Sequence, residues 1–141
     1  MVQYNNEYQT PRPSVNEDTI EFWEKMHETK QLHVQKCKNC STYSHPPRPV
    51  CHECREFELE FVPISGKGEI YSFVTYHRSV HPGFVAPYEV VLVDMEEGGV
   101  RIIANMIDCK PDDVYIGMPV EFVADPVFED LSLAKFKRRE D

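Results

Sequence analysis

Near the N-terminus the apolar residues recur at helical spacing: Ile20, Trp23 and Met26 share one face, with Phe22 beside them. Ser14-Val15-Asn16-Glu17 has the form of a capping box, with Ser14 as N-cap and Glu17 at the third helical position. The spacing therefore predicts a helix running to about Thr29. Residues 1–13 carry Pro11 and Pro13 without periodicity and read as an extended arm. After residue 30 the period falls to two. Leu32-His33-Val34 predicts a short strand, and Phe57, Leu59 and Phe61 alternate with Glu56, Glu58 and Glu60 as in a half-buried strand. Ser65-Gly66-Lys67-Gly68 reads as a turn between two modules. Strands are then expected over 69–77, 88–95, 100–106, 120–124 and 134–137, with Glu97-Gly98-Gly99 as a hairpin turn. The run Val90-Val91-Leu92-Val93 is expected to be buried on both faces. Five short antiparallel strands suit a small closed barrel of the OB type. Residues 78–87, rich in Pro, Gly, His and Phe, would lie on its rim, where a ligand or partner is met.

Four of the five cysteines interrupt this pattern as Cys37-Lys38-Asn39-Cys40 and, ten residues later, Cys51-His52-Glu53-Cys54. Each C-x2-C pair can form a tight knuckle, and two knuckles close a tetrahedral thiolate site, so structural zinc is the leading reading, one ion per chain. Redox or iron chemistry and disulfides are the alternatives; a thioredoxin-like role would want one pair in a βαβ setting. Four sulfurs leave no open position for water, so such a zinc organises the fold rather than hydrolysing a substrate. His45 and His52 are the competing ligands, with polar surface residues as the simpler reading. Cys109 reads as an ordinary partly buried cysteine, since no base can be placed beside it.

Charge narrows the function classes. In 141 residues, 15 Lys and Arg face 24 Asp and Glu, a formal net charge of −9. That opposes a nucleic-acid binder working through phosphate neutralisation. The sequence holds no stretch of 18 apolar residues, so no membrane span is expected. The polar N-terminus lacks a signal core, and a cytoplasmic location is expected. No Ser-His-Asp or Cys-His constellation is legible and no catalytic residue is assigned, so the chain is not expected to be an enzyme by itself.

The order of these motifs resembles a known family. A capped helix with Phe22-Trp23 leads to Cys37-Lys38-Asn39-Cys40, then Pro46-Pro47-Arg48-Pro49-Val50-Cys51-His52-Glu53-Cys54, Ser65-Gly66-Lys67-Gly68, Pro87-Tyr88 and Ile116-Gly117-Met118-Pro119-Val120. Across about residues 15–137 this is similar to the acyl-CoA-associated family built from a rubredoxin-like zinc ribbon followed by an OB fold. Two departures stand in the knuckles: Ser41 replaces a usual glycine and His52 a usual proline. The resemblance implies a mainly β chain: an N-terminal arm and helix (1–30), a zinc ribbon (31–64) and a five-stranded OB barrel (65–141). It also implies a helper subunit beside a thiolase-fold enzyme or a hot-dog-fold hydratase. Its relatives would include the small subunits of benzoylsuccinyl-CoA thiolase and of archaeal acetoacetyl-CoA thiolase complexes, and steroid side-chain aldolases.

On that reading the chain stabilises a thiolase-type catalytic subunit and borders a shared CoA-ester site. Arg48, Lys67 and Arg78 are the cations placed to meet CoA phosphates, each with a solvated surface charge as the simpler reading. Phe22, Trp23, His81, Phe84 and Tyr88 are the expected partner interface. Lys135, Lys137, Arg138 and Arg139 form a basic cluster near the C-terminus. Two other functions compete: a single-stranded nucleic-acid binder stacking bases on Tyr71, Phe73 and Tyr76, and a free-standing CoA-ester carrier.

Overall fold

The computed structural model describes residues 11–140 and the backbone of the short strand β1 (Gln3–Tyr4). Helix α1 (Ile20–Thr29) leads into β2 (His33–Cys37), β3 (Tyr43–Ser44) and β4 (Leu59–Pro63). These form a small sheet in the order β3-β2-β4, with Val34 opposite Val62 and Cys37 opposite Leu59. There follow β5 (Lys67–Tyr76), β6 (Phe84–Val85), β7 (Tyr88–Met95), β8 (Arg101–Ile107), β9 (Pro119–Asp125) and β10 (Leu133–Arg138). Five of them close into a barrel, β10-β8-β7-β5-β9, in which β10 runs parallel to β8 and the other pairings are antiparallel. Closure removes the sheet edges, and this strand order is that of the OB fold. β1 adds to β6 on the barrel rim, Gln3 opposite Val85 and Tyr4 opposite Phe84. Among the described residues no helix is long and apolar enough to cross a membrane.

Helix α1 starts later than its capping box suggests. Asn16, rather than Ser14, closes the turn: its Oδ1 accepts from the N–H groups of Asp18 and Thr19 at 3.0 and 3.1 Å. Its carbonyl accepts from Ile20 N–H at 2.8 Å. Asn competes well with Ser for orphan helical donors, and its extra atom reaches the turn ahead of the helix. The far end stops at Lys30, left-handed at φ 59°, whose N–H reaches the Met26 carbonyl at 3.0 Å.

One core runs through all three parts of the chain. Phe22 and Met26 of the helix, Leu32 just before β2, Val34 within it, and Ile64 pack continuously with Ile70, Val91, Val93, Met106, Met118, Val120 and Phe136 of the barrel. Ile20, expected on the buried face, is exposed instead. Phe57 likewise falls in a bend before β4 and stands 73% exposed, so the alternation that starts there counts only from Leu59. In β7 the pattern is one-sided: Val91 and Val93 are buried while Val90 and Leu92 are half-exposed. The apolar run therefore does not mean two covered faces. Its outer residues belong to an open apolar stretch of the barrel wall.

The Ser-Gly-Lys-Gly turn has a steric explanation. A side chain at Gly68 would place its Cβ 2.5 Å from the Asp94 carbonyl oxygen and 2.8 Å from Val93 Cγ1. Gly66 adopts φ 78°, and its carbonyl accepts from Phe122 N–H at 2.8 Å. The two glycines let β5 leave the ribbon and lie directly on β7 and β9.

Candidate metal centre

The two knuckles are backbone copies of each other. Ser41 N–H bonds the Cys37 carbonyl at 2.9 Å, and Arg55 N–H bonds the Cys51 carbonyl at 3.0 Å. Cys37 N–H reaches the Thr42 carbonyl, and Cys51 N–H reaches the Glu56 carbonyl, both at 2.9 Å. Such turns demand a left-handed residue after the second cysteine of each pair, and Ser41 (φ 63°) and Arg55 (φ 65°) take that conformation. This explains the usual glycine where this chain has Ser41.

All four sulfurs lie within 4.8 Å of one another. Cys37 Sγ stands 3.5 Å from Cys54 Sγ, and Cys40 Sγ stands 3.6 Å from Cys51 Sγ. A tetrahedron of thiolates about 2.3 Å from zinc has sulfurs roughly 3.8 Å apart, so the cluster has the dimensions of a four-sulfur zinc site. These separations are far beyond the roughly 2.05 Å of a disulfide bond, which sets the disulfide reading of the knuckles aside. Hydrogen bonds from the Thr42 side chain and backbone pull Cys40 down to about 6, favouring its thiolate. At Cys37 the Cys40 amide pulls the same way, but burial and the neighbouring sulfurs push the thiol up to about 11. One metal ion resolves that contest by replacing the shared protons. Around it, His52 Nδ1 lies 3.2 Å from Ser44 Oγ and is not drawn into the sulfur cluster.

The proline loop between the knuckles is pinned to β2, because Arg48 N–H donates to the buried Gln35 Oε1 at 2.8 Å. His45 in the same loop packs on Phe22, ring centres 5.2 Å apart, and its Nδ1 is buried without a hydrogen-bond partner. Burial, with Arg48 nearby, pulls this imidazole down to about 4 from its ordinary 6.5. The folded state therefore resists protonation: the stability His45 contributes is present above pH 6.5 and is lost as pH falls from 6.5 through about 4. His45→Phe should flatten that limb, read as urea midpoints from pH 7 to 4.5. Parallel profiles for parent and variant would assign the acid sensitivity to the metal centre.

The other expected site residues do not converge. Lys67 opens β5 and Arg78 lies just beyond its end. A strand of that length separates them by about 30 Å, so they cannot grip one phosphate together. Phe22 is 6% exposed and Tyr88 5%, both held within the chain's own packing. Trp23 is half-buried, edge-on to Phe22 at 5.3 Å. Phe84 packs on Tyr88 (5.7 Å) and His81 (6.3 Å), and His81 Nδ1 accepts from Gly83 N–H at 2.9 Å. These residues organise the rim connection and the strand β1 that pairs with it. The basic cluster is also divided: Lys135 is buried 4.0 Å from Asp125, where burial pulls it down to about 8, and Lys137 pairs with Glu121 at 3.3 Å.

Two long-range clasps were not legible in the sequence. Arg12 forms a two-pronged ion pair with Asp130 at 2.9 and 2.8 Å. Ser132 Oγ lies 2.9 Å from His27 Nδ1 and 3.3 Å from Lys30 Nζ. The latter places a serine beside an imidazole, yet Ser132 is fully buried and has no access to an acyl group. It ties the β9–β10 loop to the helix. Only the fold brings together residues more than 100 positions apart, and no periodicity announces them.

Comparison with known proteins agrees with this architecture. Residues 31–60 match the family described as ChsH2, rubredoxin-like zinc ribbon domain, and residues 61–125 match ChsH2, C-terminal OB-fold domain. A DUF35 domain-containing scaffold protein of Methanocaldococcus jannaschii is 40% identical over 115 residues, 79% of each chain. A probable enoyl-CoA hydratase alpha subunit of Thermomonospora curvata is 40% identical over 110 residues, 78% of this chain. The chain spans about a third (34%) of the length of that relative. Benzoylsuccinyl-CoA thiolase subunit BbsA of Thauera aromatica is 32% identical over 71 residues, 50% of this chain and 48% of that one. Among solved structures, an Ltp2-ChsH2(DUF35) aldolase superposes with a TM-score of 0.82 at 36% identity, covering 90% of this chain and 98% of that one. With its four-cysteine ribbon joined to a closed OB barrel, the chain belongs to the DUF35 family, of the ChsH2 zinc-ribbon and OB-fold type.

Proposed function

We propose that the chain is a non-catalytic, zinc-containing subunit of a thiolase-type acyl-CoA enzyme, working in the cytoplasm. In this role it braces the catalytic subunit and borders its CoA-ester site. The observation that carries the reading is a four-sulfur centre, closed to water and built into one continuous core, which suits a structural metal rather than a catalytic one. Relatives named as thiolase, hydratase and aldolase components support it.

The purified chain alone should show no thiolase, hydratase or hydrolase turnover on acyl-CoA esters. Activity should appear when it is combined with the catalytic subunit recovered with it from its native host. Robust turnover by a preparation that mass spectrometry shows to contain this chain alone would overturn the proposal. The aromatic residues of the nucleic-acid reading already have partners within the chain, which favours it less, although Tyr71 and Tyr76 stay exposed. Phe73 packs against the core, Tyr76 stacks on Tyr88 at 5.0 Å, and the Arg101 guanidinium covers Tyr71 at 3.7 Å.

A further inference from the structure

Antiparallel sheets that face water usually do so with polar side chains. The central stretch of the outer face of β5, β7 and β8 departs from this. Val74 lies opposite Val90, Ser72 opposite Leu92, and Leu92 opposite Ile103, so these side chains share one side of the barrel wall. Val74 is 54% exposed and Ile103 65%. Between them lies a shallow open dimple of about 170 Å³, lined by Ser72, Val74, Val90, Leu92 and Ile103 with parts of Phe73 and Val91, and holding no ionisable group. Polar groups stand at its border: Arg101, held over Tyr71, lies 3.8 Å from Asp94. The opposite border is the Tyr76–Tyr88 stack. An apolar centre free of charge inside a polar rim is the anatomy of a protein interface.

Several occupants fit this surface poorly. The dimple is smaller than the 300–1,000 Å³ that small-molecule pockets usually enclose. Nucleic acid would want cations in the lining, and there are none. A second copy would press two chains of net charge −9 against each other. A different protein, with an uncharged apolar patch flanked by groups that pair with Arg101 and Asp94, meets none of these obstacles.

We propose that this face of the barrel is where the catalytic acyl-CoA subunit docks, a statement that rests on the functional reading above. The docking surface thus lies on the barrel wall rather than on the helix and the rim connection.

The test uses the full-length tagged chain in its native host, with photoreactive benzoylphenylalanine in place of Ile103 and, as a control, in place of Phe57. Ultraviolet light should join position 103, and not position 57, to a subunit that mass spectrometry identifies as an acyl-CoA enzyme. Ile103→Asp should lower recovery of that subunit at least tenfold with zinc content and thermal midpoint unchanged, because Ile103 is largely exposed. An adduct between two copies of this chain, or with a protein of another class, overturns the proposal. So does undiminished recovery of the enzyme with Ile103→Asp, which leaves the functional reading standing and moves the interface elsewhere. If no acyl-CoA enzyme accompanies even the unmodified chain, the functional reading fails, and this proposal fails with it.

Discussion

Cys51→Ser should abolish stoichiometric zinc binding and unfold the chain well beyond its ribbon. Cys51 is fully buried, and its sulfur lies among the other three within 4.8 Å. Structural zinc sites release on the order of 10–16 kcal/mol on binding, while a whole domain is stable by only about 5–15 kcal/mol. Losing one ligand therefore removes a term as large as the total. The damage spreads because Cys37 ends the same strand whose Val34, with the neighbouring Leu32, belongs to the barrel's core. Metal analysis and a circular-dichroism melt check this together, and chelator added to the parent should reproduce the loss. Full zinc occupancy in the variant, or a barrel melting at the parental temperature, would contradict it.

Gly68→Ala should destabilise the zinc-loaded protein by about 3 kcal/mol, the upper end of the usual cost of overpacking. The added methyl has nowhere to go, because the atoms it meets are the Asp94 carbonyl at 2.5 Å and Val93 Cγ1 at 2.8 Å. Relief means parting β5 from β7, which form the longest paired segment of the barrel. Gly98→Ala isolates the backbone contribution. Gly98 is left-handed at φ 82°, but a Cβ added there would meet nothing within 4 Å, so only conformational strain of about 1–2 kcal/mol is expected. Urea denaturation in excess zinc distinguishes the two. Equal losses would mean that the close approach of the strands is not what keeps residue 68 a glycine.

The parts of the molecule that could be read directly share a physical property: their determinants are local. A knuckle is written within six residues, so Cys37, Cys40, Cys51 and Cys54 announced a metal centre. Alternation and turn residues located the barrel strands within a few positions. What periodicity cannot state is which surface lies against a side chain. Phe22 and Trp23 were an unpartnered apolar surface on the helix until the ribbon's His45 and the common core covered Phe22. Tyr88 looked like a rim residue and is buried by Tyr76 and Phe84. Lys135 reads as a surface charge, and only the barrel's closure shows it buried near Asp125. The helix start moved because Asn16 and Ser14 are both competent caps, and the contest is settled by the path of the chain into the turn.

The continuous core has a consequence for the barrel. Zinc sits at one end of a packed sequence that runs through β2 and Ile64 into the inner faces of β5 and β7, whose outer faces form the barrel wall. A chain that has not captured its metal is expected to present a loosened wall. The influence of the four sulfurs therefore travels by packing alone, and zinc loss is expected to soften strands that none of them touches.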